Sequence, residues 1–129
     1  MTIAEEFPQY APLNLLDIDI SQDADWNDGF VILEANDTPL DLTGKLLELY
    51  IRPKFAHQTL LKKLTSAASA GIVVDDPTGG MAYFFVDRAV ILSELPIGEW
   101  QQFLVLTEGT TQTELWRGQI RIHPGIIAA

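Results

Sequence analysis

The sequence predicts an all-β fold, an antiparallel β-sandwich, and three observations carry that expectation. Short segments of alternating apolar and polar residues recur along the chain. Clusters of Gly, Pro, Asn and Asp punctuate them roughly every eight to twelve residues. No segment holds a helical period long enough for an α/β alternative. With 129 residues, 47% of them hydrophobic, the chain has material for one core and too little for two.

Residues 1–12 contain Pro8 and Pro12 among scattered polar residues, which suits an extended N-terminal arm, either frayed or docked on a neighbour. Residues 13–125 are expected to form the single sandwich domain and 126–129 a C-terminal tail. Leu16, Ile18 and Ile20 alternate with Asp17 and Asp19 in the first strand. An Asp-rich turn over 22–28 leads to a second strand over 29–35, and Asn36-Asp37-Thr38-Pro39 closes it.

The most informative segment follows, over 40–53. It couples the turn Asp41-Leu42-Thr43-Gly44 to a strand with Leu47, Leu49 and Ile51 on one face and Glu48, Tyr50 and Arg52 on the other. Residues 58–65 favour a strand over a short helix, since their neighbours are strands and Thr59 and Thr65 bracket them. A small-residue connector over 66–71 precedes the β-branched run 72–75. The turn Asp76-Pro77-Thr78-Gly79-Gly80 joins that run to 81–86 as a hairpin. Asp87 is placed to cap one short helical turn near 87–95, which Pro96 and Gly98 end. The last strands, 99–107 and 113–123, meet at the turn 108–111. The total is roughly seven to nine strands, as a sandwich requires.

Charge and composition exclude several function classes. Lys and Arg number 8 against 18 Asp and Glu, a net charge of -10, which opposes the phosphate backbone of nucleic acid. The absence of cysteine excludes disulfides, a thiol nucleophile and zinc-thiolate sites. No apolar stretch is long enough for membrane insertion. Glu5 and Glu6 stand where a secretory signal would carry lysine or arginine, so no targeting peptide is expected.

Motifs for chemistry are sparse. Asp23-Ala24-Asp25-Trp26-Asn27-Asp28-Gly29 with Glu34 has the oxygen spacing of a calcium loop at four positions, but Asp28 holds the place where the turn needs glycine, and strands flank it where helices are required. A polar turn is the expectation. His57 reads as a loop residue and His123 as a strand-end surface residue, and no serine sits in a Gly-x-Ser-x-Gly setting. Gly79-Gly80 lacks the helix and lysine of a phosphate loop. Paired carboxylates would suit a glycosidase, but acids this abundant serve first to keep a β-protein soluble. The chain is therefore expected to be no enzyme, with no cofactor and no metal.

A surplus of apolar residues remains. Met81, Tyr83 and Phe85 oppose Ala82, Phe84 and Val86. Phe103 and Val105 oppose Trp100, Leu104 and Leu106, and Leu46 and Tyr50 oppose Leu47, Leu49 and Ile51. One set fills the core. The other must be covered by loops, by the arm or by another subunit, which makes Leu46, Tyr50, Met81, Tyr83, Phe85, Phe103 and Val105 the interface candidates. The alternative is a carbohydrate-binding module in which exposed Trp26, Tyr50 or Trp116 stack on sugar rings.

The order of these features resembles a family of small phage and prophage tail or baseplate proteins with an immunoglobulin-like sandwich. The residues that carry the resemblance are Pro39-Leu40-Asp41-Leu42-Thr43-Gly44, the strand ending in Ile51-Arg52, the Gly-led strand from Gly80, the entry Gly98-Glu99-Trp100 and the closing strand through Gly118. The chain departs from the family pattern at Phe103, where an acid is frequent, and in the turn before Trp26, where glycine is usual at the place of Asp23 or Ala24. The resemblance implies a structural role in a virion tail, or in the bacterial cytoplasm before assembly. It also implies homo-oligomerisation, other tail or baseplate proteins as partners, and no catalytic residues.

Overall fold

A computed structural model of the chain describes residues 2–3, 15–34, 36–54 and 60–125. Among these, one sheet contains β1 (Thr2–Ile3), β3 (Trp26–Leu33), β7 (Met81–Val86) and β6 (Ile72–Asp76), in that order. The other contains β2 (Ile18–Ser21), β9 (Thr111–His123), β8 (Gly98–Glu108), β4 (Leu46–Arg52) and β5 (Lys62–Thr65), in that order. The chain enters one sheet through β1 and the other through β2, as an immunoglobulin-like sandwich does. One pairing departs from the expected antiparallel pattern: β2 runs parallel to β9, Ile18 to Ser21 facing Ile120 to His123.

The turn before β4 is built as its residues demand. Asp41 Oδ1 accepts from the Thr43 N–H at 2.9 Å, the Lys45 N–H donates to the Leu42 carbonyl at 3.0 Å, and Gly44 takes a φ of 74°, a conformation most side chains disfavour. Hydrogen bonds from the Thr43 hydroxyl and N–H hold the Asp41 carboxyl below its ordinary range. Leu40 and Leu42 meanwhile turn into the core. Along β4 the alternation is realised: Leu47, Leu49 and Ile51 are wholly buried, while Glu48, Tyr50 and Arg52 face outward beside Val105, Phe103 and Gln101 of β8.

The opposite half of the core is aromatic. Trp26 stacks on Phe84 at 4.6 Å, Phe30 lies 4.9 Å from Phe84, and Trp116 presents its edge to Phe30 at 5.3 Å. This stack corrects one expected boundary. The second strand starts at Trp26 rather than at 29, because burying the indole on Phe84 draws Trp26, Asn27 and Asp28 into register with Val86, Phe85 and Phe84. The polar turn is correspondingly shorter.

The remaining elements follow the pattern closely. The strand expected within 58–65 is β5, and residues 58–59 lie outside the described set. The helix α1 (Arg88–Glu94) starts where Asp87 accepts from the Ala89 N–H at 2.8 Å, and it seats Ile91 in the core. The turn between β8 and β9 contracts to Gly109 and Thr110, since pairing continues to Glu108 and Thr111. A bulge in β9 sets Leu104 opposite Trp116 but Val105 opposite Glu114. Leu115 and Trp116 are thereby both buried, although they are adjacent in sequence. Of the N-terminal arm, Thr2 and Ile3 pair with Leu33 and Ile32, while 4–14 and the tail 126–129 lie outside the described residues.

One polar side chain joins the two ends of the fold. Gln102 is wholly buried on the inner face of β8, where its Oε1 accepts from Trp116 Nε1 at 2.7 Å and its Nε2 donates to the Leu16 carbonyl at 2.6 Å. Gly118 lies opposite Gln102 in β9. A Cβ there would run into the same Leu16 carbonyl, so only glycine lets the entry to β2 lie against β9. We expect Gln102→Leu to leave an indole N–H and a carbonyl unpaired in the interior and to lower the unfolding free energy by about 2–4 kcal/mol in urea titrations. A loss under about 0.5 kcal/mol would show that this bridge does not hold β2.

Candidate docking surfaces

The outward residues of β7 are one product of its alternation. Ala82, Phe84 and Val86 enter the core, which turns Met81, Tyr83 and Phe85 to the outer face of the four-stranded sheet. Met81 is 43% exposed and Phe85 47%, with Tyr83 half-buried between them. Their cross-strand neighbours are Val31 and Asp76 beside Met81, Gly29 and Val73 beside Tyr83, and Asn27 beside Phe85. Asp76, at the Met81 end, is the one charged residue among them. The missing side chain at Gly29 leaves a shallow groove along Tyr83 and Met81, with Asp75 the one charged residue lining it.

Leu46, Tyr50, Phe103 and Val105 lie on the outer face of the other sheet. The seven interface candidates therefore form two surfaces on opposite sides of the sandwich. Tyr50 and Phe103 are paired across β4 and β8, with rings stacked 5.3 Å apart at 19°. The Arg52 guanidinium lies over them, 5.8 Å from the Tyr50 centroid and 5.1 Å from that of Phe103. Tyr50 Oη donates to Glu48 Oε1 at 3.0 Å, and Glu48 also pairs with Lys63 at 3.3 Å. Leu46 and Val105 are half-buried. Much of this face is thus covered by its own neighbours, whereas Met81 and Phe85 are not.

Burial, and then the hydrogen bond to the negative Glu48, pushes the Tyr50 phenol above its ordinary value. Folded protein therefore keeps this proton at a pH where unfolded chain has lost it. The resulting stability is complete below the unfolded value of about 10 and declines as pH rises through the folded one. We expect Tyr50→Phe to flatten the loss of thermal stability between about pH 9.5 and 11 relative to the parent. Parallel melting curves for the two proteins across that range would contradict the assignment.

A second concavity on the Tyr50 side takes in one of the sequence candidates, Phe103, and otherwise residues outside that set. It has a volume of about 410 Å³ and is lined by Arg52, Lys54, Gln101, Phe103, Arg117 and Gln119, with Leu15, Gln102 and Gly118 completing it. The alternation marks Gln101 and Gln119 as outward residues. What brings them beside Arg52 and Arg117 is strand register, which no local pattern contains.

The other motifs resolve into structure. The acids of the suggested calcium loop do not share a turn: all of β3 separates Asp23 from Glu34, about 27 Å of extended chain. Asp25 accepts from the Arg88 N–H and Asp28 from Trp26 Nε1. Among the described residues, no group of three acids or histidines is placed to share a metal ion. His123 is exposed at the strand end and lies 2.8 Å from Asp19, and His57 is outside the described set. Trp26 and Trp116, suggested as sugar platforms, are 3% and 1% exposed because their rings build the core. Among the described residues, no helix is long and apolar enough to cross a membrane. No model of a known protein family matches the chain, and no curated protein matches it.

Proposed function

We propose that this protein is a non-enzymatic docking module that joins copies of itself, and neighbouring proteins, in a phage or prophage tail or baseplate. The observation that carries the docking role is the row Met81, Tyr83 and Phe85 on the outer face of the four-stranded sheet, flanked by Val31, Gly29, Val73 and Asn27, with Asp75 and Asp76 only at its Met81 end. The three side chains themselves carry no charge, so in a chain of net charge -10 the Tyr83 and Phe85 end of the row offers another surface reduced electrostatic opposition. Covering the exposed halves of Met81 and Phe85 would contribute about 1 kcal/mol each, before any strand or rim contacts are added. The assignment to a tail rests on the resemblance carried by 39–44 and Ile51-Arg52, and with it the virion tail as location.

The carbohydrate reading has less support. Two of its three aromatic rings are interior, and the third, Tyr50, stacks on Phe103.

Light scattering across a wide concentration range should reveal an oligomer that dissociates on dilution. Phe85→Lys or Tyr83→Glu should weaken it about tenfold or more while leaving the melting temperature within a few degrees, since neither ring is in the core. A parent protein that stays monomeric at high concentration, or variants that associate as well as the parent, would remove Met81, Tyr83 and Phe85 as a self-association surface. The tail assignment has its own check. Purified particles of the element that encodes this chain should contain it, and its absence from them would defeat that assignment.

A further inference from the structure

We infer that the groove beside Arg52 on the five-stranded sheet is a second, independent binding site, and that it takes an acidic extended peptide segment of a protein partner. The first reason is charge placement. The chain carries 18 acids and only 8 lysines and arginines, yet Arg52, Lys54 and Arg117 line this one groove, and among the described residues no carboxylate lines it. Within a molecule of net charge -10 the groove thus has a basic lining, with the Arg117 charge shared by Glu114 just outside it.

The second reason is orientation. Arg52 lies over the stacked Tyr50 and Phe103 rings, so a long side chain that would otherwise lose much freedom on binding is already positioned. Arg117 is held by Glu114, which accepts from its Nε and Nη2 at 2.9–3.1 Å and is not part of the groove lining. That pairing occupies the Nε–Nη2 edge of Arg117, so a peptide carboxylate would be met chiefly by Arg52 and Lys54, through charge-assisted bonds, which are the strong ones.

The third reason favours a peptide over a free anion. Gln101 and Gln119 bring both donors and acceptors to the groove, which suits the amides of an extended backbone. Phe103 and Leu15, the latter 64% exposed, supply an apolar margin for the side chains between the acids. Nucleic acid has the right sign, but its repeating phosphates would meet the net charge of -10 beyond the groove.

The test uses the full-length chain and a fluorescein-labelled peptide of alternating glutamate and leucine, followed by anisotropy, with a lysine-for-glutamate peptide and a short oligothymidylate as competitors. Saturable binding of the glutamate peptide alone is expected. It should weaken about tenfold in Lys54→Glu and in Arg52→Gln, with thermal unfolding monitored to confirm that each variant is folded. Phe85→Lys should bind as the parent does, which separates this site from the apolar strip. Equal binding of the lysine peptide, unchanged affinity in both groove variants, or displacement by the oligonucleotide would overturn the proposal. So would a loss of self-association in Lys54→Glu with no loss of peptide binding, because the groove would then belong to a second copy.

Discussion

The fold depends on one buried amide. Gln102 sits in the interior between Trp116 and the Leu16 carbonyl and satisfies both. Each partner belongs to something larger. Trp116 closes the aromatic cluster with Phe30 and Phe84 that joins the two sheets, and Leu16 is where the chain comes onto β9 ahead of β2, its N–H donating to the Arg117 carbonyl. An unpaired amide in such a place would be costly, so the interaction imposes geometry as much as it adds stability. Gly118 completes the arrangement by leaving room for the Leu16 backbone.

With the interior satisfied in this way, the outer faces have different characters. On the five-stranded sheet, Tyr50, Phe103, Arg52, Glu48 and Lys63 bind one another across three strands, and the polar groove opens beside them. On the four-stranded sheet the outward row is mainly apolar, with Asn27 beside Phe85 and Asp75 and Asp76 near Met81, and Met81 and Phe85 have no comparable cover. A sandwich with one polar and one apolar outer face can engage two partners of different chemistry without competition. That division suits the docking role proposed above.

Much of this was legible in the sequence, and the reason is local. Period-two alternation predicted which residues of β4 and β7 point inward, and the Asp41-to-Gly44 turn and the Asp87 cap are side-chain-to-backbone devices that operate within a few residues. The shortfalls were tertiary. Trp26 looked like part of a polar turn because its neighbours are acids, and its place in the core follows from the Phe84 ring nearly sixty positions away. Leu115 and Trp116 could not both point inward under strict alternation until the β9 bulge shifted the register. The candidate interface read as one list because alternation distinguishes inner from outer but says nothing of which sheet a strand joins.

By itself, the sequence determined the class of fold, the order of the strands after β1, the inner face of most strands, and a charge balance unfavourable to nucleic acid. These depend on interactions within one strand or turn, or on sums over composition. Only the tertiary structure decided that β2 pairs in parallel with β9, that Gln102 and Gly118 hold that junction, that the outward apolar residues divide between two faces, and that Arg52, Lys54 and Arg117 converge. Each of these is a contact between segments far apart in sequence. It is set by strand register and close packing, which depend on the whole chain at once and leave no local signature.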